Sequence, residues 1–91
     1  MIIEKHASAG TLESSDVHIE VRPSSTTTIE IESAVAAQFE DAIMSTVRQM
    51  LKTFDVQGAH VILKDRGALD CTIRARLETA LRRAGTQKEG R

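Results

Sequence analysis

Val17-His18-Ile19-Glu20-Val21-Arg22 alternates apolar and polar residues without a break. Period two with β-branched residues marks a strand with one buried face: Val17, Ile19 and Val21 point toward a core, and His18, Glu20 and Arg22 point away. Pro23-Ser24-Ser25-Thr26-Thr27 interrupts the pattern, and Ile29 and Ile31 resume it against Glu30 and Glu32, giving a second strand. A connection of about five residues makes an antiparallel hairpin the simplest link between the two.

Working outward toward the C-terminus, Ser33 reads as the N-cap of a long helix. Val35, Phe39, Ile43, Val47, Met50/Leu51 and Phe54 recur every three or four positions, with Glu40, Asp41, Arg48, Gln49 and Lys52 on the other side. That spacing predicts an amphipathic helix of about five turns ending near residue 54. Asp55 to Gly58 closes it, Ala59 to Lys64 forms a third strand around Val61 and Leu63, and Asp65-Arg66-Gly67 is a turn. Two periods then compete. Leu69, Cys71, Ile73, Ala75 and Leu77 alternate as a strand would, while Leu69, Ile73, Leu77, Leu81 and Ala84 step as a helix does. The second period runs too far for a strand, and the Ala, Leu and Arg content favours helix. Cys71 is expected to face inward as a small core residue. Residues 85–91 read as a disordered tail.

Toward the N-terminus, Ala7 to Ser15 is small and polar with no sustained apolar period, which predicts a surface loop. The expected order is β-β-α-β-α: an α+β fold with a small open sheet of about three strands and two helices packed on one face. Residues 1–84 are expected to form a single domain with an N-terminal loop over 7–16.

Composition narrows the function. A chain of 91 residues with no Trp, no Tyr and two Phe lacks the aromatic platforms of single-stranded nucleic-acid binders. Its basic residues are diluted by acids, so no nucleic-acid partner is expected. The net charge of -1 conceals an asymmetry: residues 1–43 carry eight acidic and two basic groups, and residues 44–91 five acidic and ten basic. The single cysteine suits a reducing compartment. No basic, apolar leader opens the chain, and no run approaches the roughly 20 apolar residues of a membrane span. A cytoplasmic protein with no membrane partner is expected.

Catalytic patterns are missing. His6, His18 and His60 are scattered, with His18 and His60 at polar-facing strand positions, and no Ser-His-Asp or Cys-His arrangement emerges. There is no CxxC pair, P-loop or dinucleotide fingerprint. The sequence does not read as an enzyme by itself, and no metal is expected. Thr11-Leu12-Glu13-Ser14-Ser15-Asp16 is the exception, with hydroxyls between two acids just before a strand. It reads either as a turn whose side chains bond the local backbone, or as an exposed serine that a transferase esterifies.

Ala9-Gly10-Thr11-Leu12-Glu13-Ser14-Ser15-Asp16-Val17 resembles the attachment segment of the citrate lyase acyl carrier family, the gamma subunit of that complex. Gln38-Phe39-Glu40-Asp41-Ala42-Ile43 and Gly67-Ala68-Leu69-Asp70-Cys71-Thr72-Ile73-Arg74-Ala75-Arg76-Leu77 agree with it, in order along nearly the whole chain. The resemblance implies that Ser14 carries phosphoribosyl-dephospho-coenzyme A through a phosphodiester. Glu13, Ser15 and Asp16 flank it as recognition residues, with Glu13 and Asp16 guiding docking by charge. Ser15 stands where relatives have glycine, so two adjacent hydroxyls compete for the role. Glu40 also replaces an expected glycine, on the helix surface.

The implied role is that of a non-catalytic carrier of acetyl and citryl thioesters between the alpha (acyl-transferase) and beta (lyase) subunits, in cleavage of citrate to acetate and oxaloacetate. A prosthetic-group transferase and an acetylating ligase are the implied maturation partners. Arg74 and Arg76 read as a solvated helix face, or else as contacts for the arm's phosphates. The alternatives are the acyl carrier subunit of malonate decarboxylase, which uses the same type of arm, and an unmodified α+β binding module.

Overall fold

A computed structural model describes residues 1–33 and 38–86. The elements are β1 (Ile2–Ile3), β2 (Ala7–Gly10), β3 (Val17–Pro23), β4 (Thr28–Ser33), α1 (Gln38–Thr53), β5 (Ala59–Asp65), α2 (Asp70–Ala84) and β6 (Gly85–Thr86). The fold is α+β, as expected, with both helices against an open sheet.

That sheet has four strands in the order β2-β3-β5-β4. β5 lies inside it because Ala59, Val61 and Leu63 face the helices while Ile62 adds an apolar residue on the opposite side. Ile19 lies opposite Leu63 and Val21 opposite Val61 across the antiparallel β3/β5 ladder. On the far side of β5, Ile29 lies opposite Val61 and Ile31 opposite Leu63 in a parallel ladder. Alternate residues of each strand therefore fall on one face. Ile43, Val47, Met50 and Leu51 of α1 and Ile73, Leu77, Ala80, Leu81 and Ala84 of α2 cover that face.

Several expectations are corrected. β3 and β4 do not form a hairpin, because β5 is inserted between them. β4 and β5 run parallel, and parallel neighbours require a long crossover, which is the helix α1. Residues 24–27 instead pass over the start of β5. Gly58 admits the crossing: a Cβ there would lie 2.4 Å from the Ser24 carbonyl oxygen, and its φ is +97°. The expected loop 7–16 begins with a strand, since β2 pairs with β3 from Ala7↔Val21 to Gly10↔His18. Small residues suffice at this edge because Ala9 needs only to meet Ile19 and the helix above it.

Gly85 and Thr86, expected in the tail, pair with Ile3 and Ile2; residues 87–91 lie outside the described residues. Ser33, expected as a helix cap, ends β4 and donates from Oγ to Asp65 Oδ2 at 3.1 Å. The expected helical residues 34–37, Val35 among them, lie outside the described residues. Cys71 is exposed rather than inward. One residue of helix turns the chain by about 100°, so a position two before buried Ile73 lies nearly on the opposite side. Phe39 and Leu69, both placed on apolar faces by their spacing, are 51% and 70% exposed.

Candidate functional site

The β2–β3 hairpin opens at Gly10, whose φ of +93° lies in the left-handed region. A Cβ there would fall 1.8 Å from the Val17 carbonyl oxygen, so only glycine lets the two strands part at this point. Residues 11–16 then fold back on themselves. Thr11 Oγ1 donates to Asp16 Oδ2 at 2.7 Å and accepts from the Glu13 amide at 3.2 Å. The Asp16 amide donates to the Glu13 carbonyl at 3.1 Å, closing a turn with Ser14 and Ser15 at its centre. Ser15 has φ +67°. A left-handed residue at the third position of a turn is the type II pattern, which favours glycine there.

Asp16 anchors this loop to the rest of the molecule. Its two carboxylate oxygens take a forked pair of bonds from Arg76 of α2, at 3.1 and 3.0 Å. Oδ1 also accepts from the Val17 amide at 2.7 Å. The Arg76 bonds, then those from Thr11 and Val17, hold the Asp16 carboxyl well below the usual carboxylate range, against a smaller opposing effect of burial. A second tie comes from the residue just after β5: the Ser15 amide donates to the Arg66 carbonyl at 2.8 Å, and the Arg66 amide donates to the Asp16 carbonyl at 2.9 Å.

The expected site residues therefore differ in kind. Ser14 is exposed at the tip of the turn, and its hydroxyl bonds to none of the described residues. Glu13 and Ser15 are exposed beside it. Asp16 is largely covered and engaged by Arg76, so it fixes the loop's shape. Arg74 bonds Asp70 at 2.6 Å and Gln49 at 3.1 Å, away from the loop. Neither the Asp16–Arg76 fork nor the Arg66 contact was visible in the sequence, because partners so far apart along the chain, 60 residues in the case of the fork, leave no local spacing to read.

A cleft of about 390 Å³ opens at the same end of the sheet, between Phe39, Ala42 and Ile43 of α1 and Ala68, Leu69 and Ile73 at the start of α2. Its two carboxylates have partners. Buried Asp65 accepts from the Ala68 amide at 3.0 Å as well as from Ser33. Asp70 accepts from Thr46 Oγ1 at 2.6 Å and from Arg74, and these two bonds lower its pKa. The wall is otherwise apolar.

Among the described residues, no group of three or more His, Cys, Asp or Glu is placed to hold a metal ion. No described helix is long and apolar enough to cross a membrane.

Residues 4–84 match the acyl carrier family described as malonate decarboxylase delta subunit. A citrate lyase acyl carrier protein of Haemophilus ducreyi is 55% identical over 84 residues, covering 92% of this chain and 88% of that one. Those of Yersinia enterocolitica and Treponema denticola are 47% and 44% identical, over 97% and 92% of this chain and 93% and 97% of theirs. A chain in the crystal structure of a Pseudomonas malonate decarboxylase hetero-tetramer bound to malonate shares the fold, with a TM-score of 0.67 and 20% identity over 90% of this chain and 86% of that one. The chain belongs to the citrate lyase acyl carrier protein family.

Proposed function

We propose that this protein is the acyl carrier subunit of a citrate lyase, with Ser14 as the covalent attachment point of a phosphoribosyl-dephospho-coenzyme A group. The observation that carries this reading is the geometry of the turn: an exposed hydroxyl without a described protein partner, at the tip of a loop pinned by Thr11, by Asp16 and by the Ser15 amide. The residues present fit such a group. Ser14 Oγ attacks phosphorus of an activated phosphoanhydride form of the group: the Oγ–P bond forms as the P–O bond to a pyrophosphate leaving group breaks. Pyrophosphate departs, and the serine proton passes to a base that the maturation transferase provides, since a serine hydroxyl is unreactive unaided. Ser15 is held in the left-handed region with its amide bonded to Arg66, a constraint beyond the turn that it shares with Ser14. That favours Ser14 of the two.

When bound, the group supplies a thiol on a long tether for acetyl and citryl thioesters. The chain's own residues hold the attachment point outward and keep it at a fixed place on a small rigid body. Tethering keeps the acyl group at high effective concentration near both enzyme sites. The alpha subunit exchanges acetyl for citryl, and the beta subunit releases oxaloacetate. Glu13, exposed beside Ser14, is the acid left available for charge-guided docking of partner subunits and of the transferase and ligase that mature the protein. A cytoplasmic setting accords with a single exposed thiol at Cys71.

Protein made together with its maturation enzymes should show one coenzyme-A-derived mass increment on the peptide containing Ser14, removable by base through β-elimination. Ser14→Ala should abolish the increment and the citrate-cleaving activity of the reconstituted complex while leaving thermal stability unchanged; an increment persisting in Ser14→Ala but lost in Ser15→Ala would move the attachment point to Ser15. Activity with malonate decarboxylase partner subunits, and none with citrate lyase subunits, would favour that complex instead.

A further inference from the structure

We propose that the cleft between the starts of α1 and α2 binds the purine base of the group carried on Ser14, so that only the part of the tether beyond the base swings. This inference rests on the reading of Ser14 as attachment point. Three observations lead to it.

The first is distance. The Ser15 amide bonds the Arg66 carbonyl, and Gly67, the next residue, lines the cleft. Ser14 is therefore one strand spacing and two residue steps from the cleft's edge, on the order of 12 Å. In the proposed group, roughly ten covalent bonds separate the serine oxygen from the base, which spans a similar length when extended. The base is the first apolar, planar part of the tether that reaches the cleft; the thiol end would have to fold back.

The second is surface chemistry. Phe39 and Leu69 stand 51% and 70% exposed on opposite walls, in a chain with only two aromatic residues. An exposed aromatic beside an apolar cleft offers a face for a base to stack on, a contact that every base can make. Covering Phe39 and Leu69 removes apolar area from water.

The third is charge. Asp65 and Asp70 line the cleft, and their oxygens are held by Ser33, Ala68, Thr46 and Arg74. Negative walls disfavour the tether's diphosphate and a citryl group, and accept a neutral base. The phosphates are left outside, near the basic Arg66.

The absence of Trp and Tyr makes the test direct, because absorption near 260 nm then comes almost entirely from the adenine. With the mass increment on Ser14 confirmed first, the modified protein should show a circular-dichroism band near 260 nm that differs in sign or intensity from that of free dephospho-coenzyme A. It should also show nuclear Overhauser contacts from adenine H2 or H8 to the Phe39 ring and the Leu69 or Ile73 methyls. Phe39→Ser and Leu69→Ser, at exposed positions, should return the band to that of the free nucleotide with mass and melting temperature retained. A modified protein whose adenine spectrum equals that of the free nucleotide, or whose cleft contacts run to the pantetheine or acyl protons, overturns this inference and leaves the carrier reading standing. A matured protein without the group on Ser14 overturns both.

Discussion

Two connections of this molecule share adjacent serines and at least one threonine. Residues 11–16 read Thr-Leu-Glu-Ser-Ser-Asp and residues 24–27 read Ser-Ser-Thr-Thr. Each adjoins one end of β3, both present adjacent serines to solvent, and both depend on a glycine with positive φ. Their attachments differ. The first is tied by Thr11, by the forked Asp16–Arg76 pair and by two backbone bonds to Arg66. The second has a local bond from the Thr26 amide to Ser24 Oγ at 3.4 Å and crosses over β5. Exposed hydroxyls are common; a hydroxyl held at a fixed place by tertiary bonds is what distinguishes the candidate site.

The comparison breaks most sharply at the two glycines. Gly10→Ala and Gly58→Ala both drive a Cβ into a carbonyl oxygen, and each is expected to cost more than about 3 kcal/mol in urea unfolding. At a temperature where both variants remain folded, Gly10→Ala should also slow modification of Ser14 severely, whereas Gly58→Ala should leave the modification rate of its folded fraction unchanged. Equal modification rates would show that the shape of the 11–16 turn does not matter to the transferase.

A smaller effect is expected at Asp16 in acid. Its pKa is depressed in the folded state, so the stability it contributes is fully present above the unfolded value, near 3.8, and is lost as pH falls toward the folded value. Glu20, bonded to Arg22 and His6, and Asp70 shift in the same direction and add to the same acid limb. Melting temperature should fall below about pH 4, and Asp16→Asn or Arg76→Met should flatten that fall while lowering the melting temperature at pH 7. Amide exchange of residues 11–16 should accelerate in both variants, with residues 24–27 unaffected. An acid limb identical to wild type would mean that the fork does not form in solution.

The smallest effect concerns Ser15. Replacing it with glycine removes the penalty of a left-handed non-glycine residue, offset by greater freedom in the unfolded chain, for a net gain of up to roughly 1 kcal/mol. Ser15→Gly should keep the mass increment on Ser14. Loss of the increment would show that the second hydroxyl takes part.

Much of this was legible locally. The inward set Val17, Ile19 and Val21, the strand around Val61 and Leu63, and the helical stretch through Leu77, Leu81 and Ala84 follow from periodicity alone and are buried as read. β2 was not legible, since Ala7-Ser8-Ala9-Gly10 has no apolar alternation and becomes a strand by pairing with β3. Leu69 and Cys71 misled because strand and helix periods overlap there; Leu69 precedes the first turn of α2, and Cys71 lies on its outer side.

The sequence by itself determined most of the residues that turn inward and where the exposed Ser14 segment lies, because burial writes a short-range period into the chain. Strand order, the parallel β4/β5 pair and the Asp16–Arg76 fork were decided only by the tertiary structure. These join residues far apart along the chain, and their partners are selected by which packing covers the whole apolar face of the sheet at once, a condition no local window contains.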